Sequence, residues 1–195
     1  MLEGKTVNLR VLEKEDIDFA VECFMDVDFW GEYSPISEQR SKSEMIKRFD
    51  NPSNFAILTE WKEFIVQKKD GTIIGLIFHM VNQPYGHMEI GCFLIPSERG
   101  KGYGAEATQL MVDYLFLSKN IVRIQTHTNL RNEPAQRALE KAGFTKEGTV
   151  RKAQLVRGVW NDYYLLSILR EEWKEPKILT RTTSSQFLVL QKSYS

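Results

Sequence analysis

The chain has 195 residues, 42% of them hydrophobic, and its 26 basic and 26 acidic side chains cancel to a formal charge of zero. That length suits one domain with a substantial core and room for an appendage, while zero net charge excludes a global field that would draw in nucleic acid or an anionic membrane. Cys23 and Cys92 are the only cysteines, which excludes a disulfide framework and a Cys-x-x-Cys zinc site, and charges interrupt the N-terminus throughout MLEGKTVNLRVLEKED, so a cytoplasmic protein without metal or membrane partner is expected.

Thr6 to Leu12 alternates apolar and polar residues as a half-buried strand does, with Val7, Leu9 and Val11 on one face. From Glu15 onward Ile17, Ala20, Val21 and Phe24 recur at helical spacing, and Asp16 and Asp18 carry negative charge where a helix N-terminus favours it. A second helix is predicted over Glu38 to Phe49, ending before the turn Asp50-Asn51-Pro52. An antiparallel meander follows: Glu63 to Lys68, a turn at Asp70-Gly71, Ile73 to Val81, a loop at Gln83-Pro84-Tyr85-Gly86, and Met88 to Ile95. Ala107, Leu110, Met111, Tyr114 and Leu115 then mark an amphipathic helix. Val122 to Thr128 reads as a strand, and Asn132 to Ala142 as a short helix stopped by Gly143. The chain returns to β from Phe144, turns near Arg157-Gly158, and closes with a strand through Tyr163 to Leu169. Residues 174–195 change character, polar and β-prone around the apolar run Phe187 to Leu190, and read as an appendage to a domain over residues 1–173.

Between the meander and the long helix stands Glu98-Arg99-Gly100-Lys101-Gly102-Tyr103-Gly104-Ala105. Gly100-x-Gly102-x-x-Ala105 matches the dinucleotide fingerprint, but no acid follows Asp113 until Glu133 to hold a ribose. Lys101 is followed by Gly102, so the hydroxyl of a Walker loop is missing. What remains is a flexible turn feeding a helix N-terminus, where unpaired N–H groups and the helix dipole favour a phosphate. Arg99 and Lys101 would add positive charge at its rim.

With this turn in place, the chain resembles the GNAT superfamily of acetyl-CoA-dependent N-acetyltransferases. Arg99-Gly100-Lys101-Gly102-Tyr103-Gly104 satisfies that family's Arg/Gln-x-x-Gly-x-Gly/Ala pyrophosphate loop. Asn132 to Phe144 resembles its second CoA-side motif, an Asn opening a helix that closes with Lys-x-Gly-Phe. Trp160 to Tyr164 with Arg170 to Trp173 is most similar to the subgroup that acetylates ribosomal-protein N-termini, and the likeness spans roughly residues 5 to 173. It implies an α/β fold with a strongly twisted mixed sheet, flanked by helices and splayed between its fourth and fifth strands, here Met88 to Ile95 and Val122 to Thr128. Gly91 could supply a bulge there, or serve only packing.

Further implications concern chemistry. Pantetheine would pair with the main chain of Phe93, Leu94 and Ile95, and the pyrophosphate with the loop from Arg99 through Lys101 and Tyr103 to Ala105. Asn132 could offer its amide to pantetheine while capping its helix. Glu89 would face the incoming amine as its base, with His79 and His87 as other titratable candidates, and a backbone N–H near Leu94 or Ile95 would hold the oxyanion. Related enzymes place a Ser three residues after the helix-opening Asn, where this chain has Ala135, so Tyr163, Tyr164 or water would protonate the thiolate. At pH 7 deprotonating an α-amine costs about 1 kcal/mol and a lysine-type amine about 4.6 kcal/mol. The favoured acceptor is accordingly a protein N-terminal α-amine, with a small-molecule amine second and a non-catalytic acyl-CoA-binding module third. The protein is expected as a monomer or homodimer.

Overall fold

A computed structural model of the chain describes residues 1–35, 41–50, 62–82 and 87–176. Its elements in order are β1 (Leu2–Glu3), β2 (Val7–Val11), α1 (Ile17–Met25), α2 (Val27–Trp30), α3 (Lys42–Asp50), β3 (Lys62–Lys68), β4 (Ile73–Asn82), β5 (His87–Leu94), α4 (Tyr103–Ser118), β6 (Arg123–Asn129), α5 (Glu133–Lys141), β7 (Thr145–Val156) and β8 (Val159–Leu169). All eight strands form one sheet in the order β1-β2-β3-β4-β5-β6-β8-β7. The beginning of the expected second helix and the apolar run Phe187 to Leu190 lie outside the described residues.

Helices cover the sheet on both sides because their apolar stripes need a partner. Ala107, Leu110, Met111 and Leu115 of α4 are wholly buried against Val7, Leu9, Ile77, Ile124 and Leu166 of the sheet. A second cluster joins Ala20 and Cys23 of α1 and Phe29 of α2 to Ile65 and Leu76, with Trp30 and Phe93 packed on it. Val11, expected to share the buried face of its strand, ends β2 and is 55% exposed. Among the described residues no helix is long and apolar enough to cross a membrane.

Every neighbouring pair is antiparallel except β5 with β6. β4 and β5 stay in register over eight residue pairs, whereas β5 and β6 pair only at Met88–Ile124 and Glu89–Gln125. Beyond Glu89 the two strands part, giving the expected splay; the short β1 makes the two strands fifth and sixth in the chain. Gly91 is no bulge, since its register with Phe78 is regular. A Cβ there would stand 2.5 Å from the Phe78 ring, so close packing is what glycine serves.

The hairpin of β7 and β8 turns at Arg157 (φ 49°) and Gly158 (φ 79°), the two positive φ angles of a type I′ turn. Farther along, the register shifts between Val150 and Gln154, and the Lys152 N–H donates to Asp162 Oδ1 at 2.8 Å. Asp162 therefore holds the hairpin through a backbone bulge, while Trp160 beside it is 55% exposed.

Two ion pairs tie local elements together. Arg10 donates twice to Asp16 (2.6 and 2.7 Å) and the Glu13 N–H donates to Asp16 Oδ2 at 2.9 Å, so the Asp16 side chain ties β2 to the turn before α1 and makes no cap bond to the helix itself. Arg123 similarly clamps Glu147, which also accepts from Ser167. The Arg123 and Ser167 hydrogen bonds hold the Glu147 carboxyl down at about 2, and Arg10 lowers that of Asp16. Unfolded carboxyls titrate near 4, so the stability from these pairs is complete above that range and lost as pH falls toward the folded values. Urea midpoints are expected to drop between pH 6 and pH 3. Glu147→Gln should remove about 1 kcal/mol of that drop, given the screening of a partly exposed pair.

Candidate active site

The parting of β5 from β6 opens a cleft of about 1280 Å³, lined by Glu89, Gly91 and Phe93 on one side and by Thr126, His127 and Asn129 on the other. The Ile95 N–H donates to the Ile74 carbonyl at 3.0 Å. Antiparallel bonding alternates along a strand, so Ile95 and Phe93 direct their main chain at β4, and Leu94 and Cys92 direct theirs across the cleft. Of the three main-chain contacts expected, Leu94 alone fits; the Ile95 amide is consumed within the sheet and is unavailable to an oxyanion.

At the mouth of the cleft the chain passes through Gly100 (φ 76°) and Gly102 (φ 89°), and nothing lies within 4 Å of a Cβ built on either. Gly102 is the N-cap of α4 and offers no side chain to the first turn. The first N–H groups of the helix have no intrahelical partner, so this cradle suits a phosphate. Gly100, Gly102, Gly104, Ala105 and Asn132 all line the cleft. Tyr103 instead packs on the core.

The positive charge expected at the rim is largely engaged. Lys101 pairs with Glu98 at 3.0 Å, and Glu98 also lies 3.6 Å from Lys68. Arg99 turns away from the glycines: Nε donates to the Leu94 carbonyl (3.0 Å), and Nη2 donates to the carbonyls of Asp28 (3.1 Å) and Phe29 (2.7 Å). Burial lowers its pKa against the pull of Asp26 and Asp28. An anion at this loop would therefore meet chiefly backbone amides.

Deeper in the cleft, Glu89 meets His127 across the splay, with Oε1 3.1 Å from Nδ1 and the side chains 19% and 28% exposed. An aromatic wall flanks the carboxylate strand: Trp30 and Phe93 lie edge to face at 5.0 Å, and Phe78 stacks on Phe93 at 6.3 Å. Asn132 Oδ1 caps α5 by accepting from the Ala135 N–H at 3.2 Å.

Other expected candidates are placed elsewhere. His79 is fully buried under α4, between the rings of Phe64 and Tyr114, rather than at the surface. His87 opens β5, outside the cleft lining, and burial and Arg123 lower its pKa. Tyr164 faces the core side, with the Lys146 ammonium 3.8 Å from its ring centre. Tyr163 does line the cleft, but its hydroxyl donates to the Tyr33 carbonyl at 2.7 Å and burial raises its pKa. That proton is already engaged, which argues against Tyr163 as the thiolate acid. His127 and the aromatic wall were not foreseen; the signal for His127 was its place on the strand facing Glu89 across the expected splay.

Comparison with known proteins agrees with this geometry. Residues 6–145 match the family described as Acetyltransferase (GNAT) domain. The probable N-acetyltransferase YjcK of Bacillus subtilis (strain 168) is 32% identical over 186 residues, covering 88% of this chain and 98% of that protein. The putative ribosomal N-acetyltransferase YdaF of the same organism is 24% identical over 185 residues, covering 88% and 95%. Among solved structures, the spermidine N-acetyltransferase from Vibrio cholerae in complex with CoA and spermine superposes with a TM-score of 0.73 at 23% identity, covering 85% of this chain and 96% of that one. A mixed sheet parted beside a glycine cradle and a family match over most of the chain lead to one conclusion: the protein belongs to the GNAT family and is an acetyl-CoA-dependent N-acetyltransferase.

Proposed function

We propose that the enzyme acetylates a primary amine of a small cationic molecule, of the polyamine type, by direct transfer from acetyl-CoA. The observation that carries this is the Glu89–His127 pair inside the cleft. A lysine-type amine must lose a proton at a cost of about 4.6 kcal/mol at pH 7, which asks more of its proton acceptor than an α-amine does. A carboxylate backed by an imidazole also favours an ammonium group over a neutral or anionic one. Arg123, on the same face of β6, is occupied by Glu147 and leaves that preference intact. The polyamine-bound structural neighbour supports the same choice. A protein N-terminal α-amine, favoured by the sequence, becomes the second acceptor, supported by the YdaF likeness.

On this proposal the amides of Gly100, Gly102 and the first turn of α4 would hold the pyrophosphate. The Leu94 and Cys92 main chain would hold pantetheine or the oxyanion, and the Asn132 side-chain amide would be free to donate from Nδ2. The amine nitrogen attacks the thioester carbon; the C–S bond breaks and the thiolate leaves with the electron pair. With Tyr163 engaged, the thiolate takes its proton from the nitrogen that has just acylated or from water, and rate comes largely from orientation. A thiol-release assay with acetyl-CoA tests the acceptor, comparing spermidine and spermine with tetrapeptides starting in Ser, Ala or Met. Faster turnover of a peptide than of either polyamine would replace the first acceptor by the second.

A further inference from the structure

The geometry points to His127 as the catalytic group that takes the proton from the acceptor amine, with Glu89 as its positioning residue. This deepens the proposed function and rests on it. The contact runs from Nδ1 of His127 to Oε1 of Glu89 at 3.1 Å. An ionised carboxylate can only accept a hydrogen bond, so the hydrogen must sit on Nδ1. The lone pair is then on Nε2, which has no hydrogen-bond partner among the described residues. A base whose second nitrogen is fixed by a carboxylate is the arrangement that activates a proton acceptor in other transferases and hydrolases.

Groups on three strands surround the imidazole. On β5 the groups facing the imidazole are Glu89 and His87. On β6 Arg123 is taken by Glu147 of β7. On β8 the register partner is Leu165, which carries no charge. Histidine is the side-chain type most often used to accept a proton near neutral pH. Glu89 holds the ring and stabilises the imidazolium that forms.

The step balances without a further reactant. The ammonium gives one proton to Nε2, the freed pair on nitrogen bonds to the acetyl carbon, and the C–S bond breaks toward sulfur. The second proton of the acylated nitrogen goes to the thiolate, and the imidazolium releases the first to solvent.

Two measurements test the assignment. The chain has three histidines, so ¹⁵N spectra of the imidazoles at pH 8 can be assigned by substitution. His127 is expected as the Nδ1–H tautomer, and an Nε2–H tautomer would overturn the proposal. In the thiol-release assay with spermidine, His127→Gln is expected to lower kcat 10²- to 10⁴-fold at pH 7, with the KM for acetyl-CoA held within about twofold. The deficit should shrink at least tenfold at pH 9.5, where more of the amine is already neutral, a change that mere loss of packing would not produce. Glu89→Gln keeps an acceptor for Nδ1–H and is expected to cost less than His127→Gln. If Glu89→Gln is the more damaging and His127→Gln is nearly silent, the carboxylate itself takes the proton and the assignment is wrong. A wild-type protein that turns over no amine would instead defeat the acceptor proposal, and the tautomer would still decide the geometry.

Discussion

Replacing Gly102 by alanine is expected to raise the Kd for CoA between tenfold and a hundredfold while the fold survives. Gly102 has a φ of 89° and caps α4, and a Cβ there meets nothing within 4 Å. The substitution therefore costs backbone strain rather than a clash, on the order of 1–2 kcal/mol. At this chain length that corresponds to a fall in Tm of about 2–8 °C. The larger effect falls on binding. If the turn relaxes from its left-handed conformation, the amides of the loop and of the first helical turn no longer converge. Each charge-assisted hydrogen bond lost is worth about 1.5–3 kcal/mol, and about 1.4 kcal/mol is a factor of ten in affinity. Gly104→Ala is the control: its φ is not positive and its nearest neighbour, Leu94 Cδ1, stands at 3.7 Å, an ordinary contact. Calorimetric titration with CoA separates the two variants. An unchanged Kd in Gly102→Ala would remove the turn as the phosphate cradle.

Features set by neighbours in sequence were legible before the fold was known. The stripe of α4, the Arg157-Gly158 turn and the Asn132 cap each follow from local periodicity or backbone preference, and each is found where expected. Four-residue α2 and two-residue β1 are too short to leave a period, and they exist because longer elements hold them. Side-chain destinations were the least legible. Gly91 stands opposite the Phe78 ring because of strand register, Glu89 meets His127 because two strands part, and the Tyr163 hydroxyl finds a carbonyl 130 positions away. None of these partners lies within the window that a propensity or a motif reads. The motif pointed to a turn suited to a phosphate and left open which groups around it were already engaged.

Arg99 shows what that difference means for function, and Arg99→Ala is expected to raise the KM for the amine together with that for acetyl-CoA. The guanidinium joins the Leu94 carbonyl at the end of β5 to the Asp28 and Phe29 carbonyls of α2. α2 spans four residues and is followed by Gly31 at φ 72°, so it has little cooperative stability of its own. Its Phe29 and Trp30 nevertheless form the aromatic wall with Phe93. Removing the clip would free that wall, on the proposed amine side, and loosen the strand end and loop, on the proposed CoA side. Three hydrogen bonds from a partly exposed cation suggest a loss of about 2 kcal/mol, or about 4–8 °C in Tm. Lysine cannot reproduce a planar fork that reaches three carbonyls, so Arg99→Lys should recover less than half of the loss. Thermal unfolding and the two KM values are the measurements. A rise in the acetyl-CoA KM alone, with Tm unchanged, would mean that the guanidinium acts on the phosphates directly instead of through α2.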